Sequence, residues 1–243
     1  MKRKHTQVDD IIETMQKNGG YATLAYLNQN VNTTTWKTKT PFESIRCYLQ
    51  RGSEFFKIQP GLWALVDFKD TVLKKFDIKE NEKEQVEIFT HSYYQGLITE
   101  IGNMKHFITF IPSQDKNRMF LDKKLGDIST MKEMPIFTYD KIVKRAKTID
   151  TVWFNERELP KAFYEVEHST NIINSLNKFF ELQDFRSDFF IVANSKRKKE
   201  FDDKINQTIY NPIKTLVKFV DYESVSNQHT LMSKMLSSGG FFL

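Results

Sequence analysis

Cysteine is nearly absent: Cys47 is the single one in 243 residues. One thiol cannot build a disulfide framework or a cysteine-based zinc site within the chain, and it fits a reducing cytosol. The five histidines are scattered, and no His-Glu-x-x-His spacing occurs, which argues against a zinc hydrolase. No stretch approaches the roughly 18 consecutive apolar residues that a spanning helix needs. The basic start, Met1-Lys2-Arg3-Lys4-His5, runs on to Asp9 and Asp10 rather than into an apolar core, so it does not read as a signal peptide. Internal repeats and low-complexity tracts are also missing. These absences lead us to expect a soluble, cytoplasmic protein with no membrane partner.

What is present suits a folded chain of one large or two modest domains, with 40% hydrophobic and 28% charged residues. A net charge of +5 suits a polyanionic partner without requiring one. Val8, Ile11, Ile12 and Met15 recur at helical spacing, and Gly19-Gly20 stops that helix. Leu24, Tyr26, Leu27 and Val31 suggest a second helix. A third is expected from Pro41, with Thr40 as N-cap and Phe42, Ile45, Tyr48 and Leu49 facing inward. Residues 55–58, Gln59-Pro60-Gly61 and 62–66 then read as strand, turn and strand. Three helices and a hairpin are the order of a winged helix.

Gly20-Tyr21, Thr40-Pro41, Ser44-Ile45-Arg46, Phe56 and Pro60-Gly61-Leu62-Trp63-Ala64-Leu65 resemble the HARE-HTH domain, over roughly the first quarter of the chain. That winged-helix variant occurs in chromatin proteins and fused to restriction endonucleases. Lys37, Lys39, Ser44, Arg46 and Arg51 cluster around its third helix. They are the candidate DNA contacts, the alternative being a protein-binding winged helix with a solvated face.

Residues 68–90 mix acidic and basic side chains with few apolar ones, as a charged linker or exposed helix would. Beyond them the pattern is α/β. Tyr93, Tyr94, Leu97, Ile98 and Ile101 form a helical stripe closed by Gly102, and residues 107–111 read as a strand stopped by Pro112. Strands are expected at 148–154, 162–167, 189–193 and 217–220, and helices at 170–182 and 196–209. Together they imply a mixed sheet flanked by helices. Thr170-Asn171 looks like an N-cap. Lys196-Arg197-Lys198-Lys199 suits either phosphate contact or a solvated helix start, and Gly239-Gly240 reads as frayed tail.

The chemistry is concentrated in Ile149-Asp150-Thr151-Val152-Trp153 and Phe163-Tyr164-Glu165-Val166-Glu167-His168. Side chains two apart on a strand point the same way, so Glu165 and Glu167 share a face while Tyr164 and Val166 take the other. If the two strands pair, Asp150 joins them. Three carboxylates this close repel one another unless a divalent cation neutralises them, and an oxygen-only set suits Mg²⁺. A solvated strand face with lysine or arginine partners would explain the same Glu-x-Glu, and the residues alone leave both readings standing. Alternation turns His168 away from the acids, towards a structural role.

Asp150, a short loop and Glu165-Val166-Glu167 resemble the PD-(D/E)XK nuclease core, in the variant with Glu where the final Lys stands. The resemblance spans about residues 92–220. It implies metal binding by Asp150 and Glu165, a role for Glu167 in holding or activating the attacking water, and a further acid on the first helix, where Glu100 matches. Ile149 stands where the commonest pattern has Pro, and no Lys follows Glu165.

The expected fold is therefore α/β: an N-terminal winged helix-turn-helix (1–67), a charged linker (68–90), a restriction-endonuclease-like mixed sheet flanked by helices (91–225) and a C-terminal tail (226–243). The expected function is an Mg²⁺-dependent, sequence-specific endonuclease of the type II restriction class, bacterial, acting on double-stranded DNA as a homodimer. Its rivals are a modification-dependent endonuclease sensing methylated DNA and a non-catalytic DNA-binding regulator with a degenerate nuclease fold.

Overall fold

The computed structural model describes residues 5–79 and 82–237. Residues 1–4, most of the basic start, and Gly239-Gly240 lie outside them. The chain divides into two compact units, residues 1–82 with 226–243, and residues 83–225. Among the described residues no helix is long and apolar enough to cross a membrane.

The first unit runs α1 (Gln7–Lys17), β1 (Tyr21–Thr23), α2 (Leu24–Asn30), α3 (Pro41–Arg51), β2 (Phe55–Gln59), β3 (Leu62–Leu65) and α4 (Lys69–Lys75). α1 begins in a capping box: the Thr6 hydroxyl accepts from the Asp9 N–H, and the Asp9 carboxylate accepts from the Thr6 N–H. Its apolar stripe, Ile11 and Met15, packs with Leu27, Ile45, Leu49, Phe55 and Leu65 in one core. β2 and β3 form the expected hairpin. β1, which periodicity missed because it spans three residues, adds an antiparallel third strand in the order β1-β3-β2. Thr40 makes no side-chain cap at α3, whose start rests on the proline instead.

The described residues of 68–90, expected as a charged linker or exposed helix, are largely helical. Val72 and Phe76 are buried, so α4 is anchored by apolar contacts despite its charge. The tail expected at 226–243 is likewise structured as far as Ser237, as part of a long C-terminal helix.

The second unit begins with α5 (Lys83–Met104) and β4 (Ile108–Phe110). A small hairpin of β5 (Met119–Phe120) and β6 (Lys123–Lys124) follows, then α6 (Leu125–Ile128) and α7 (Asp140–Ala146). β7 (Thr151–Phe154), β8 (Pro160–Glu167), α8 (Ile172–Glu181), β9 (Asp188–Ala193), α9 (Lys198–Ile205) and β10 (Val217–Asp221) follow, and α10 (Tyr222–Ser237) starts in this unit, its residues from Ser226 belonging to the first. The sheet is five-stranded and mixed, in the order β10-β9-β8-β7-β4. β8 pairs antiparallel with β7 and parallel with β9, which makes it the central strand.

That position explains its composition. Seven of its eight residues are buried, and the run Ala162-Phe163-Tyr164-Glu165-Val166-Glu167 has no solvated face. Phe163 packs with Val152, Phe154, Phe179 and Phe189 in the core beneath α7, α8 and α9. Tyr164 turns the other way, its ring 4.6 Å from that of Trp153. On this second side α5 lies close against the sheet: a Cβ on Gly102 would stand 2.6 Å from both Thr109 Cγ2 and Trp153 Nε1. A Cβ on Gly96 would collide with the Phe120 ring. Close approach, not helix propensity, explains these two glycines in a helix interior.

Candidate active site

β7 and β8 run antiparallel with Thr151 opposite Tyr164, so the residue before β7 comes to rest beside the end of β8. The Asp150 Oδ2 atom accepts the Val166 N–H at 2.7 Å, which fixes the carboxylate next to Glu165 and Glu167. Asp150, Glu165 and Glu167 are 8%, 3% and 4% exposed. A solvated strand face is therefore excluded, and the three acids are held together inside the protein.

Burial at this density is electrostatically costly. Loss of water pushes the Asp150 carboxyl well above the ordinary carboxylate range, against the Val166 N–H and Lys178. Burial and then the Asp150 charge push Glu165 upward as well. Glu167 is raised by burial, partly offset by Ser175 and Arg197.

Much of the compensation comes from α8 and the residues just before it. Its N-cap is Asn171, whose side chain accepts from the Ile173 N–H, while Thr170 donates to Glu167 instead of capping. One turn in, the Ser175 hydroxyl contacts both Glu165, at 2.9 Å, and Glu167. One turn further, Lys178 Nζ lies 2.9 Å from both Glu165 oxygens and donates to the Thr148 carbonyl at 2.9 Å. Burial alone would lower the Lys178 ammonium, but the acids around it hold it above its ordinary value. The pair is thus lopsided: Lys178 keeps its proton, while Glu165, stripped of more water, is still driven towards its neutral form.

Arg197 decides between the two readings of the basic run 196–199 for itself. Its guanidinium turns inward, donating to the His168 and Thr170 carbonyls and to Glu200, with Nη1 4.0 Å from Glu167. Lys196, Lys198 and Lys199 stay exposed. His168 is half-buried with its Nδ1 unpartnered, and burial lowers its pKa.

Glu100 follows Gln95 by five residues, about 140° round the helix, and its charge acts on Tyr93. The α5 side chains that reach the cluster are His91 and Gln95, one turn apart. His91 Nε2 lies 3.6 Å from Asp150 Oδ1, and Gln95 Nε2 donates to the Asp150 carbonyl at 2.5 Å and to Asp115 Oδ2 at 3.1 Å. Burial lowers the His91 pKa, against the pull of Asp115. Among the described residues, the donors that converge tightly enough for one cation are those of His91, Asp115 and Asp150, not those of Asp150, Glu165 and Glu167.

His91, Asp115, Ser175, Lys178 and Arg197 were not legible as site residues. One signal existed for two of them: Ser175 and Lys178 interrupt the apolar side of a strongly amphipathic helix directly after the acidic strand. Asp115 sits in an irregular loop, where no periodicity assigns a direction.

The family model for the C-terminal domain of the type II restriction enzyme NmeDI matches residues 71–239. The chain belongs to this family. Type II restriction enzyme NmeDI from Neisseria meningitidis serogroup C is 26% identical over 151 residues, 58% of this chain and 42% of that protein. The chain thus spans about two fifths of the length of the curated relative it matches. No solved structure matches. The NmeDI C-terminal-domain match takes in α5, β7, β8, α8 and α9, and with them all the buried acids just described.

Most of the first unit precedes the NmeDI C-terminal-domain match. There Lys37, Lys39, Arg46 and Arg51 are exposed, while Ser44 is half-buried and spends its hydroxyl on the Thr40 carbonyl, at 3.1 Å, and on Thr38. Ser44 and Arg51 fall on nearly one line of α3, with Arg46 about 200° round from Ser44. The five do not form a single stripe.

Proposed function

We propose that the chain is an Mg²⁺-dependent, sequence-specific endonuclease of the type II restriction class that hydrolyses phosphodiesters of double-stranded DNA. The observation that carries this reading is the burial of Asp150, Glu165 and Glu167 together at one end of the central strands, in a chain of a restriction-enzyme family. A solvated strand face would leave such acids wet, and a purely structural role would pair each with a cation. Here three carboxylates share Lys178 and, at 4.0 Å, Arg197.

The donor set fits a hard divalent ion: carboxylate oxygens, buried, with too little positive charge around them. Asp150 and Glu165 would hold it. When bound, such an ion polarises the scissile phosphate and stabilises the leaving oxygen. The protein's own groups do the rest. The Val166 N–H orients Asp150, Ser175 spaces the two glutamates, and Glu167 accepts the proton of the attacking water. Lys178 stands beside Glu165 and supplies the positive charge that the resembled pattern takes from a lysine two residues after that acid. In this reading the first unit is a winged helix that contacts DNA through Lys37, Lys39, Arg46 and Arg51, and a homodimer would match a two-fold target.

Incubating the protein with unmethylated and methylated plasmid, with Mg²⁺ or with EDTA, tests the reading. We expect cutting with Mg²⁺ and none with EDTA, and at least a ~10³-fold loss in Glu165→Ala and Asp150→Ala with DNA binding retained. Wild-type turnover in either variant refutes the site. Cleavage of methylated plasmid alone would make the enzyme modification-dependent, and no cleavage with any divalent ion would leave a DNA-binding regulator.

A further inference from the structure

His91, Asp115 and Asp150 come from three separate parts of the chain: α5, the loop after β4 and the position just before β7. One donor atom of each lies within 4.8 Å of the other two. Donors bound at about 2.1 Å from one cation sit about 3 to 4 Å apart, so small side-chain rotations close the set.

Two unpartnered atoms point to a ligand. His91 Nε2 is shielded from water and has no hydrogen-bond partner, although it faces a carboxylate oxygen 3.6 Å away. Leaving such an atom unsatisfied costs about 1–3 kcal/mol unless something binds it. Gln95 is fully buried, and its Oε1 is also without a partner.

The ligating groups are also held from behind. Arg118 Nε lies 3.1 Å from Asp115 Oδ1, and Gln95 Nε2 grips Asp115 Oδ2. The Val166 N–H occupies Asp150 Oδ2 and so leaves Oδ1 turned to His91. Oriented ligands with partners of their own are the arrangement of a metal site.

We propose that His91, Asp115 and Asp150 bind a divalent transition-metal cation through one imidazole nitrogen and two carboxylates. The nitrogen distinguishes this position from an all-oxygen Mg²⁺ site and favours Mn²⁺ or a later first-row ion. The position shares Asp150 with the nuclease site and rests on that reading for its purpose, and its detection does not depend on cleavage.

The test is titration of the 243-residue chain with Mn²⁺ alone, followed by pulsed electron paramagnetic resonance for coupling of the bound ion to nitrogen-14. We expect imidazole coupling in the wild type. His91→Gln should lose it, and His91→Gln and Asp115→Asn should each weaken Mn²⁺ binding by at least about tenfold. Glu165→Gln should keep the coupling, with circular dichroism confirming that each variant is folded. Bound Mn²⁺ without nitrogen coupling in the wild type overturns the site, as does no Mn²⁺ binding, or coupling that persists in His91→Gln. Coupling without plasmid cleavage keeps this site and sinks the nuclease reading. Cleavage without coupling does the reverse.

Discussion

Asp150 and Glu165 carry pKa values raised by burial, and the sign of that shift fixes how stability follows pH. In the unfolded chain both titrate near 4. Between that value and the elevated native ones the folded state holds more protons, so stability falls as pH rises through this window and then levels off. The metal-free protein should therefore melt lower at pH 8.5 than at pH 5.5, and the difference should shrink in Asp150→Asn and Glu165→Gln. Differential scanning calorimetry in EDTA reads this directly. A divalent ion that binds the acids should raise the melting temperature more at the higher pH. Lys178→Met gives a matched check: losing the cation beside buried Glu165 should cost about 1–3 kcal/mol above neutrality. It should cost little at pH 5, where Glu165 is already protonated. An equal loss at both pH values would mean Lys178 contributes packing rather than charge.

The helix α5 is the element on which the arrangement turns. From Phe89 to Gly102 it is buried almost throughout, and it brings His91 and Gln95 to Asp150 while its glycines lie against Phe120 and Trp153. Gly96→Ala adds a methyl where the Phe120 ring already sits. We expect a loss of about 1–3 kcal/mol by overpacking, measured by denaturant melts, although alanine is the better helix former by about 1 kcal/mol. A gain in stability would show that the β5–β6 hairpin yields without strain. Periodicity read the stripe from Tyr93 to Ile101 on this helix, and the resemblance, not periodicity, implied Glu100 as a further acid there. What periodicity gave no sign of is that His91 and Gln95 reach Asp150 from this helix.

At the scale of the whole molecule, the family match covers residues 71–239 and the buried acids, whereas the basic residues around α3 lie before it. Reversing Lys37, Lys39 and Arg46 to glutamate should weaken DNA binding by about tenfold or more and flatten its salt dependence, since each phosphate contact releases counterions. Cleavage at saturating DNA should survive. Binding measured by fluorescence anisotropy across salt concentrations would check it, and an unchanged slope would remove this surface from the DNA interface.

The strand alternation of Glu165 and Glu167, the helix–hairpin order of the first unit and the strand–helix order behind the mixed sheet of the second were legible in local period, whereas the junction with Asp150 waited on the pairing of β7 with β8. A residue's direction along a strand or helix follows from its own neighbours. Which face is buried, and what meets there, does not. His91 and Asp115 reach Asp150 only because α5 lies close against the sheet at Gly102 and against the β5–β6 hairpin at Gly96, and because the loop after β4 folds back under Gln95. Ser175, Lys178 and Arg197 reach the glutamates because β8 is the central strand, with α8 and α9 packed over its end. Tertiary structure also decided the electrostatics: the same carboxylates on an edge strand would be hydrated and ordinary, and it is the loss of water in the centre of the sheet that raises their pKa values.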